Sequence, residues 1–384
     1  NERLSKIYRA NIYIKREDLQ IPRSFKIRGA YNKLLNVSKD IGDKQIICAS
    51  AGNHAQGVAL GCNQLNLPST IYIPEKTPLQ KINRIKHFGN DLCNIKLYGE
   101  NFNDCLEKAY RDCKISNDIF VHPFNDKDII VGQATVAEEI YNEIRPDVIV
   151  SCIGGGGLIS GISLYSKQMN KDCQIIGVEP ETCPSMKLSI LNNKIVNYRV
   201  TDNFVDGASV GKVGDVTYSI TKRFVDRIIS VETGKICENL LELYTEDGII
   251  SEPAGALSIS ALDELDIRGK NVVCILSGGN NDVSRYPDIT DRMLTYRGLK
   301  HYYLIEFAQR PGQLKTFINE ILGPHDDIVR FEYIKKTNID SGSVLIGVEL
   351  EKSSSSILIE DKLTDNGFNY LKLNDNNTLY NYLI

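Results

Sequence analysis

Along the first 300 residues, short runs rich in β-branched residues and nearly free of charge alternate with longer stretches whose apolar residues recur every three or four positions. The runs lie at residues 45–49, 70–73, 148–153, 174–178 and 271–276. Strand-like and helix-like patterns alternating in this way predict βαβ units and a mostly parallel sheet. Strands with so few charges are expected to be covered on both faces. From His301 the rhythm changes: strand 302–308, helix 313–322, strand 328–335, strand 343–349, helix 355–366 and a last strand over 370–373. That βαββαβ order is the ferredoxin-like unit. No segment is of low complexity, and residues 353–356 read as a loop.

Charge sharpens the division. Residues 301–384 hold 8 Lys+Arg against 12 Asp+Glu, so the whole net charge of -4 lies there, and the first 300 residues balance at 37 against 37. The expected organisation is a large α/β domain over 1–295, with a small subdomain over about residues 38–130, a linker at 296–300 and an acidic module at 301–384. A pI of 5.9 gives no electrostatic footprint for nucleic acid or an anionic membrane. Neither a signal peptide nor an apolar run of bilayer length is seen. The ten cysteines form no C-x-x-C, and several sit in apolar runs, which fits buried, reduced thiols in a cytoplasmic protein. The five histidines lack zinc spacing, so no metal site is expected. The chain starts at Asn1 rather than Met, and further residues are expected before it.

Against this background the stretch SFKIRGAYNKLL, residues 24–35, places a lysine at the start of an amphipathic helix. Lys26 has two readings. Its methylenes can cover apolar surface while the ammonium reaches water, or it is desolvated and offers a free amine for Schiff-base chemistry.

Three glycine-rich turns each follow a predicted strand. Ser50-Ala51-Gly52-Asn53-His54-Ala55-Gln56-Gly57 enters a helix, and its small residues let backbone N–H groups approach an anion at a helix start. Gly154, Gly155, Gly156 and Gly157, followed by Leu158, cost conformational entropy that a close ligand or severe crowding must require. A phosphate at this helix start is the favoured reading. The spacing is not G-x-G-x-x-G, and no Walker Lys-Ser/Thr follows. Ser277-Gly278-Gly279-Asn280 ends the last of the strands. Ligands of open α/β sheets sit at the carboxyl ends of strands, so one site can collect all three turns.

Ser24-Phe25-Lys26-x-Arg28-Gly29-Ala30, the Ser50 to Gly57 turn, Gly154 to Leu158 and Ser277 to Asn280, preceded by Lys15-Arg16-Glu17-Asp18-Leu19, together resemble the pyridoxal-phosphate enzymes of the threonine dehydratase family, of the tryptophan-synthase-β-like fold (fold type II). The tail stretch Glu306-Phe307-Ala308-x-Arg310-Pro311-Gly312-x-Leu314 resembles the ACT-like regulatory domain of the biosynthetic members, here in a single copy rather than two in tandem. The fold this implies is α/β, with two parallel-sheet subdomains plus an α+β ACT-like module. The implied reaction is β-elimination on L-threonine to 2-oxobutanoate and ammonia.

By the same resemblance, Lys26 carries the pyridoxal 5'-phosphate and then serves as the base for the Cα proton. Gly154, Gly155, Gly156, Gly157 and Leu158 bind the phosphate, Asn53 bonds the ring's 3-hydroxyl, Phe25 lies near the ring and Ser277 faces the pyridine nitrogen. Ser50 and Asn53 receive the substrate carboxylate. His54 is either a further substrate contact or a helix-start residue. Asp206 and Glu252 match acidic positions of the family, where a hydrogen bond or cap is expected rather than catalysis. Isoleucine is the expected inhibitor, with valine opposing it, and a single module per chain implies a dimer or tetramer. Serine dehydratase and serine racemase share these core motifs, although no motif here identifies the second acid/base that racemisation needs. An amino-acid sensor built on a dead enzyme is the alternative of a different class.

Overall fold

The structure, a computed structural model, describes residues 1–200, 202–333 and 341–384, the side chains of Asn377 and Asn381 excepted. It divides into two compact units, Asn1–Asp282 and Val283–Ile384. The helix Tyr286–Tyr296 belongs to the second unit, where its Asp291 accepts from Tyr302 at 3.0 Å and pairs with Lys300 at 2.5 Å. The structural division therefore precedes the compositional break at 296–300, because this helix is bound to the strand that follows it.

The first unit contains nine strands among its described residues: β1 (Asn11–Arg16), β2 (Ile46–Ala49), β3 (Ser69–Ile73), β4 (Cys93–Leu97), β5 (Ile119–Phe120), β6 (Val148–Cys152), β7 (Gln174–Pro180), β8 (Arg227–Val231) and β9 (Asn271–Leu276). They form two parallel sheets, β1-β9-β6-β7-β8 and β4-β3-β2-β5. The five strands that charge-poor patterning predicts, β2, β3, β6, β7 and β9, are the interior strands of these sheets. The four it does not predict are the edges. An edge strand meets solvent on one side and tolerates charge, as Lys15, Arg16, Lys96 and Arg227 show.

Helix Lys26–Ser38 crosses helix Lys127–Glu143 where both carry glycine. A Cβ on Gly132 would lie 2.5 Å from the Arg28 carbonyl oxygen and 2.6 Å from the Gly29 Cα. The crossing is tied by Arg28, which donates to Glu17 at 2.7 and 2.8 Å and to Glu139 at 2.7 Å through two nitrogens. Lys15 adds a contact to Glu139 at 2.6 Å. Both partners of the Arg28–Glu17 pair are largely removed from water, so loss of one would strand a buried charge. All ten cysteines are free, and all but Cys93 are buried.

In the second unit, β10 (Lys300–Ala308), β11 (Asp327–Tyr333), β12 (Ser341–Glu349) and β13 (Asn369–Lys372) form the antiparallel sheet β11-β12-β10-β13. This is the order expected of a ferredoxin-like unit. The predicted strand 328–335 ends in residues that lie outside the described ones. The predicted helix 313–322 is one α-turn, Gln313–Thr316, continued by the π-helical Phe317–Ile321. One sheet face buries Tyr303, Ile305 and Phe307 against Phe317, Ile359 and Leu363. On the other, Tyr302, Leu345 and Leu373 pack with Leu379 and Leu383 of the terminal helix Asn377–Leu383, which patterning does not predict.

Gly132→Ala is expected to lower stability by roughly 1–3 kcal/mol, since backbone rather than a flexible side chain blocks the new methyl. Urea unfolding would measure this, and a midpoint equal to the wild type would show that the two helices part at no cost.

Candidate functional site

The site is assembled at the carboxyl ends of β2, β6 and β9. Residues 23–25 lie antiparallel to the end of β9. Phe25 N–H donates to the Ser277 carbonyl at 3.1 Å, Gly279 N–H donates to that of Arg23 at 2.9 Å, and Ser24 and Gly278 form a β-bridge. Helix Lys26–Ser38 starts at the next residue, so Lys26 stands beside Ser277. Gly57, in helix Asn53–Gln64, is held against the same point: a Cβ there would lie 3.2 Å from the Lys26 carbonyl carbon.

Lys26 does not reach for water. Its Nζ donates to the Pro123 carbonyl at 2.9 Å and lies 5.1 Å from the centre of the Phe25 ring. Desolvation pushes the ammonium down to about 8, against the opposing pull of Cys152 and Glu252. Burial also pushes the Cys152 thiol up to about 11. Ser277 is buried, with its Oγ donating to the Ala254 carbonyl at 3.3 Å.

The glycine turn joins β6 to helix Gly157–Met169. Gly156 adopts φ +91°, where a side chain would be strained. Cβ atoms on Gly155 and Gly157 would run into Phe124, so the turn is crowded by protein on that side. Thr217 fastens it from another, its Oγ1 donating to the Gly155 carbonyl at 2.7 Å. Among the described residues, no backbone or side-chain acceptor takes the amides of Gly154, Gly155, Gly156, Gly157 or Leu158. Four of these five residues are buried. Buried N–H groups are rarely left orphaned, and five converging at a helix start suit the oxygens of a phosphate. Together with a desolvated lysine amine, this donor set fits pyridoxal phosphate.

Asn53 begins its helix at the end of the β2 turn. Its Nδ2 donates to both oxygens of Glu252, at 2.8 and 3.1 Å, and its Oδ1 accepts from Asn280 at 2.7 Å. Glu252 is thereby placed inside the site. Burial and the nearby Asp206 raise its carboxyl to about 7, although Asn53 favours the ionised form. Asp206 itself is exposed and pairs with Lys81 at 3.2 Å. Ser50 is half-buried, its Oγ accepting from the Gly52 amide at 3.2 Å. His54 is 3% exposed and its Nε2 meets the Val121 carbonyl at 3.0 Å; burial, and next Lys26, push the ring down to about 3. The geometry gives it a packing partner and no open face.

Asn280, quoted in the sequence only as the end of its turn and given no role there, and the His122–Asn125 segment, not singled out, both reach the site. No spacing rule marks a lone histidine beside a proline, and only the Lys26–Pro123 contact reveals it. Among the described residues, no group of three or more His, Cys, Asp or Glu is placed to hold a metal ion, and no helix is long and apolar enough to cross a membrane.

Comparison with known proteins agrees with this geometry. Residues 2–278 match the family described as pyridoxal-phosphate dependent enzyme, and residues 291–383 match the C-terminal regulatory domain of threonine dehydratase. The biosynthetic L-threonine dehydratase IlvA of Halalkalibacterium halodurans is 45% identical over 100% of this chain and 94% of its own length. That of Bacillus subtilis is 43% identical over 100% and 92%. Among solved structures, processed threonine deaminase isoform 2 of Solanum lycopersicum aligns with a TM-score of 0.73 at 36% identity, covering 76% of this chain and 85% of that one. Maize serine racemase aligns at 0.70 and 28%, covering 77% and 91%. A buried lysine amine facing an orphaned amide cradle and full-length similarity to these enzymes lead to one assignment: the chain belongs to the pyridoxal-phosphate-dependent threonine dehydratase family.

Proposed function

We propose that this chain converts L-threonine to 2-oxobutanoate and ammonia, with residues 1–282 as the catalytic unit and the second unit regulating it. The observation that carries the reading is the convergence of Lys26, Ser277, Asn53 and the Gly154–Leu158 amides on the ends of three strands. The names of the full-length relatives support threonine as substrate. Pyridoxal phosphate, when bound, supplies an electron sink for the pair left on Cα when its proton departs.

Lys26 carries the cofactor and afterwards takes the Cα proton on Nζ; desolvation, which lowers it to about 8, favours the uncharged amine this requires. The amides of Gly154 to Leu158 hold the phosphate, with the positive end of helix Gly157–Met169 behind them. Asn53 would turn one of its two Nδ2 N–H groups from Glu252 to the ring's 3-hydroxyl, and Phe25 flanks the ring. Ser50 and Asn53 orient the substrate carboxylate, so that the Cα–H bond is presented to Lys26. His54 stays outside the proposal, because its Nε2 is engaged. The β-hydroxyl leaves as water on the proton that Lys26 has taken from Cα, and the released enamine is hydrolysed in solution to the keto acid and ammonium.

Ser277 is uncharged, and nothing in it would hold a proton on the pyridine nitrogen. Less negative charge then drains into the ring, which favours elimination over transamination. Regulation is read as isoleucine inhibition through the second unit, with valine opposing it, in a homodimer or homotetramer. The similarity of residues 291–383 to a regulatory domain supports this.

Lys26→Ala is expected to lose threonine-dependent keto-acid release by about 10²–10⁴-fold; residual activity near wild type would remove Lys26 from the mechanism. Serine turnover is expected at roughly 10–200-fold lower kcat/KM, the discrimination one methyl group allows. Isoleucine should raise the half-saturating threonine concentration about 5–150-fold, and superimposed saturation curves would leave the second unit with assembly alone. In Ser277→Asp, transamination products should rise relative to 2-oxobutanoate, and an unchanged product ratio would count against the role given to the uncharged hydroxyl.

A further inference from the structure

The chain between β5 and helix Lys127–Glu143 is shaped by a single ring nitrogen. Val121 N–H still pairs with the Ile47 carbonyl at 2.8 Å, extending the sheet. The next residue turns its imidazole onto its own backbone: His122 Nδ1 accepts from the amides of Phe124 at 3.1 Å and Asn125 at 2.8 Å. Pro123 between them has no N–H to offer. A nitrogen that accepts two N–H bonds carries its lone pair, so the ring proton lies on Nε2. Desolvation, and next the charge of Lys26, push His122 down to about 4, against Asp126 and Asp215, so the ring is neutral at any pH well above that value. His54, which His122 itself helps to push down, is neutral there too.

Each of the three residues held in this way touches the site. Pro123 directs its carbonyl at Lys26 Nζ. Phe124, edge-on to the His122 ring with centroids 4.6 Å apart, fills the space beneath Gly155 and Gly157. Asn125 donates to Asp215 at 2.7 Å and accepts from the Val216 amide at 3.1 Å. It thereby fixes the start of helix Asp215–Phe224, which carries the Thr217 that fastens the Gly155 carbonyl.

We propose that His122 is a positioning residue whose Nδ1 folds residues 123–125 into one turn that sets both ends of the cofactor site, the Lys26 amine through Pro123 and the phosphate cradle through Phe124 and Asn125. This rests on the reading of that site as the pyridoxal-phosphate site.

The test is equilibrium titration of cofactor-free full-length chain with pyridoxal phosphate, and separately with unphosphorylated pyridoxal, for the wild type, His122→Phe and His122→Asn. The pH titration of the absorbance of the Lys26-bound cofactor is read alongside. Phenylalanine keeps a ring and removes the acceptor, whereas the Asn Oδ1 stands near the place of Nδ1. Because two amides lose their partner, His122→Phe should bind pyridoxal phosphate about tenfold or more weakly, and its absorbance should titrate at a shifted pH. His122→Asn should restore both. The preference for the phosphorylated form should fall in His122→Phe, since the cradle loosens with the turn. Equal affinities and titrations in His122→Phe and His122→Asn would overturn the proposal. Should His122→Phe not fold, His122→Gln, whose acceptor stands near Nε2 instead, replaces it in the comparison, and binding equal to His122→Asn is the overturning result. A wild-type chain that takes up no cofactor would instead overturn the functional reading on which this one stands.

Discussion

Residues 23–25 are bonded, backbone to backbone, to the end of β9, and the geometry of the site is laid out from that seam. The two segments are far apart in sequence, so their pairing closes a very long loop. What it secures is the starting point of helix Lys26–Ser38. The seam admits nothing larger than glycine at its centre, since a Cβ on Gly278 would meet Glu252 Oε1 at 2.5 Å and Ser24 Cβ at 3.2 Å. With the seam in place, Lys26 directly follows the residue bonded to Ser277, and Glu252, whose own amide donates to the Gly278 carbonyl at 3.1 Å, faces Asn53. Displacing the seam would move an amine, a hydroxyl and a carboxylate together.

Burial then decides the charge state of what the seam assembles. Lys26, Glu252, His54 and His122 are all shifted toward their neutral forms, with desolvation as the largest cause for each. A short distance away, Arg28 stays firmly charged between Glu17 and Glu139, because hydrogen bonds and opposite charges outweigh the cost of burying it. The contrast separates two uses of buried polar groups. The arginine network locks helices in register, whereas Lys26 and Glu252 are brought close to neutral inside the candidate site. A lysine held by paired carboxylates would keep its proton, whereas one held by a carbonyl can give it up.

The second unit follows a different construction. Its sheet is covered on both faces, by the helical layer around Phe317 and Ile359 and by the terminal helix around Leu379 and Leu383. That terminal helix is short and mixes polar with apolar positions, so its pattern carries little signal; it is ordered by the face it covers. The same is true of helix Tyr286–Tyr296, whose tie to β10 through Asp291 moves the structural boundary ahead of the change in composition.

The sequence by itself determined the interior strands, because a strand covered on every side carries few charges, buried Glu179 of β7 being the one among these five, and it determined the chemistry of the turns, because only glycine and small residues let a backbone approach an anion. It could not mark the edge strands: β1, β4 and β8 carry charges that solvent tolerates, and β5 is only two residues long. Nor did local pattern decide between a lysine that snorkels and one that is desolvated. That choice depends on Pro123, which lies far away in the chain and meets Lys26 only after the sheets have formed. The placing of Glu252 against Asn53 is of the same kind. Hydrogen bonds between residues distant in sequence leave no periodicity behind, and only the tertiary structure brings their partners together.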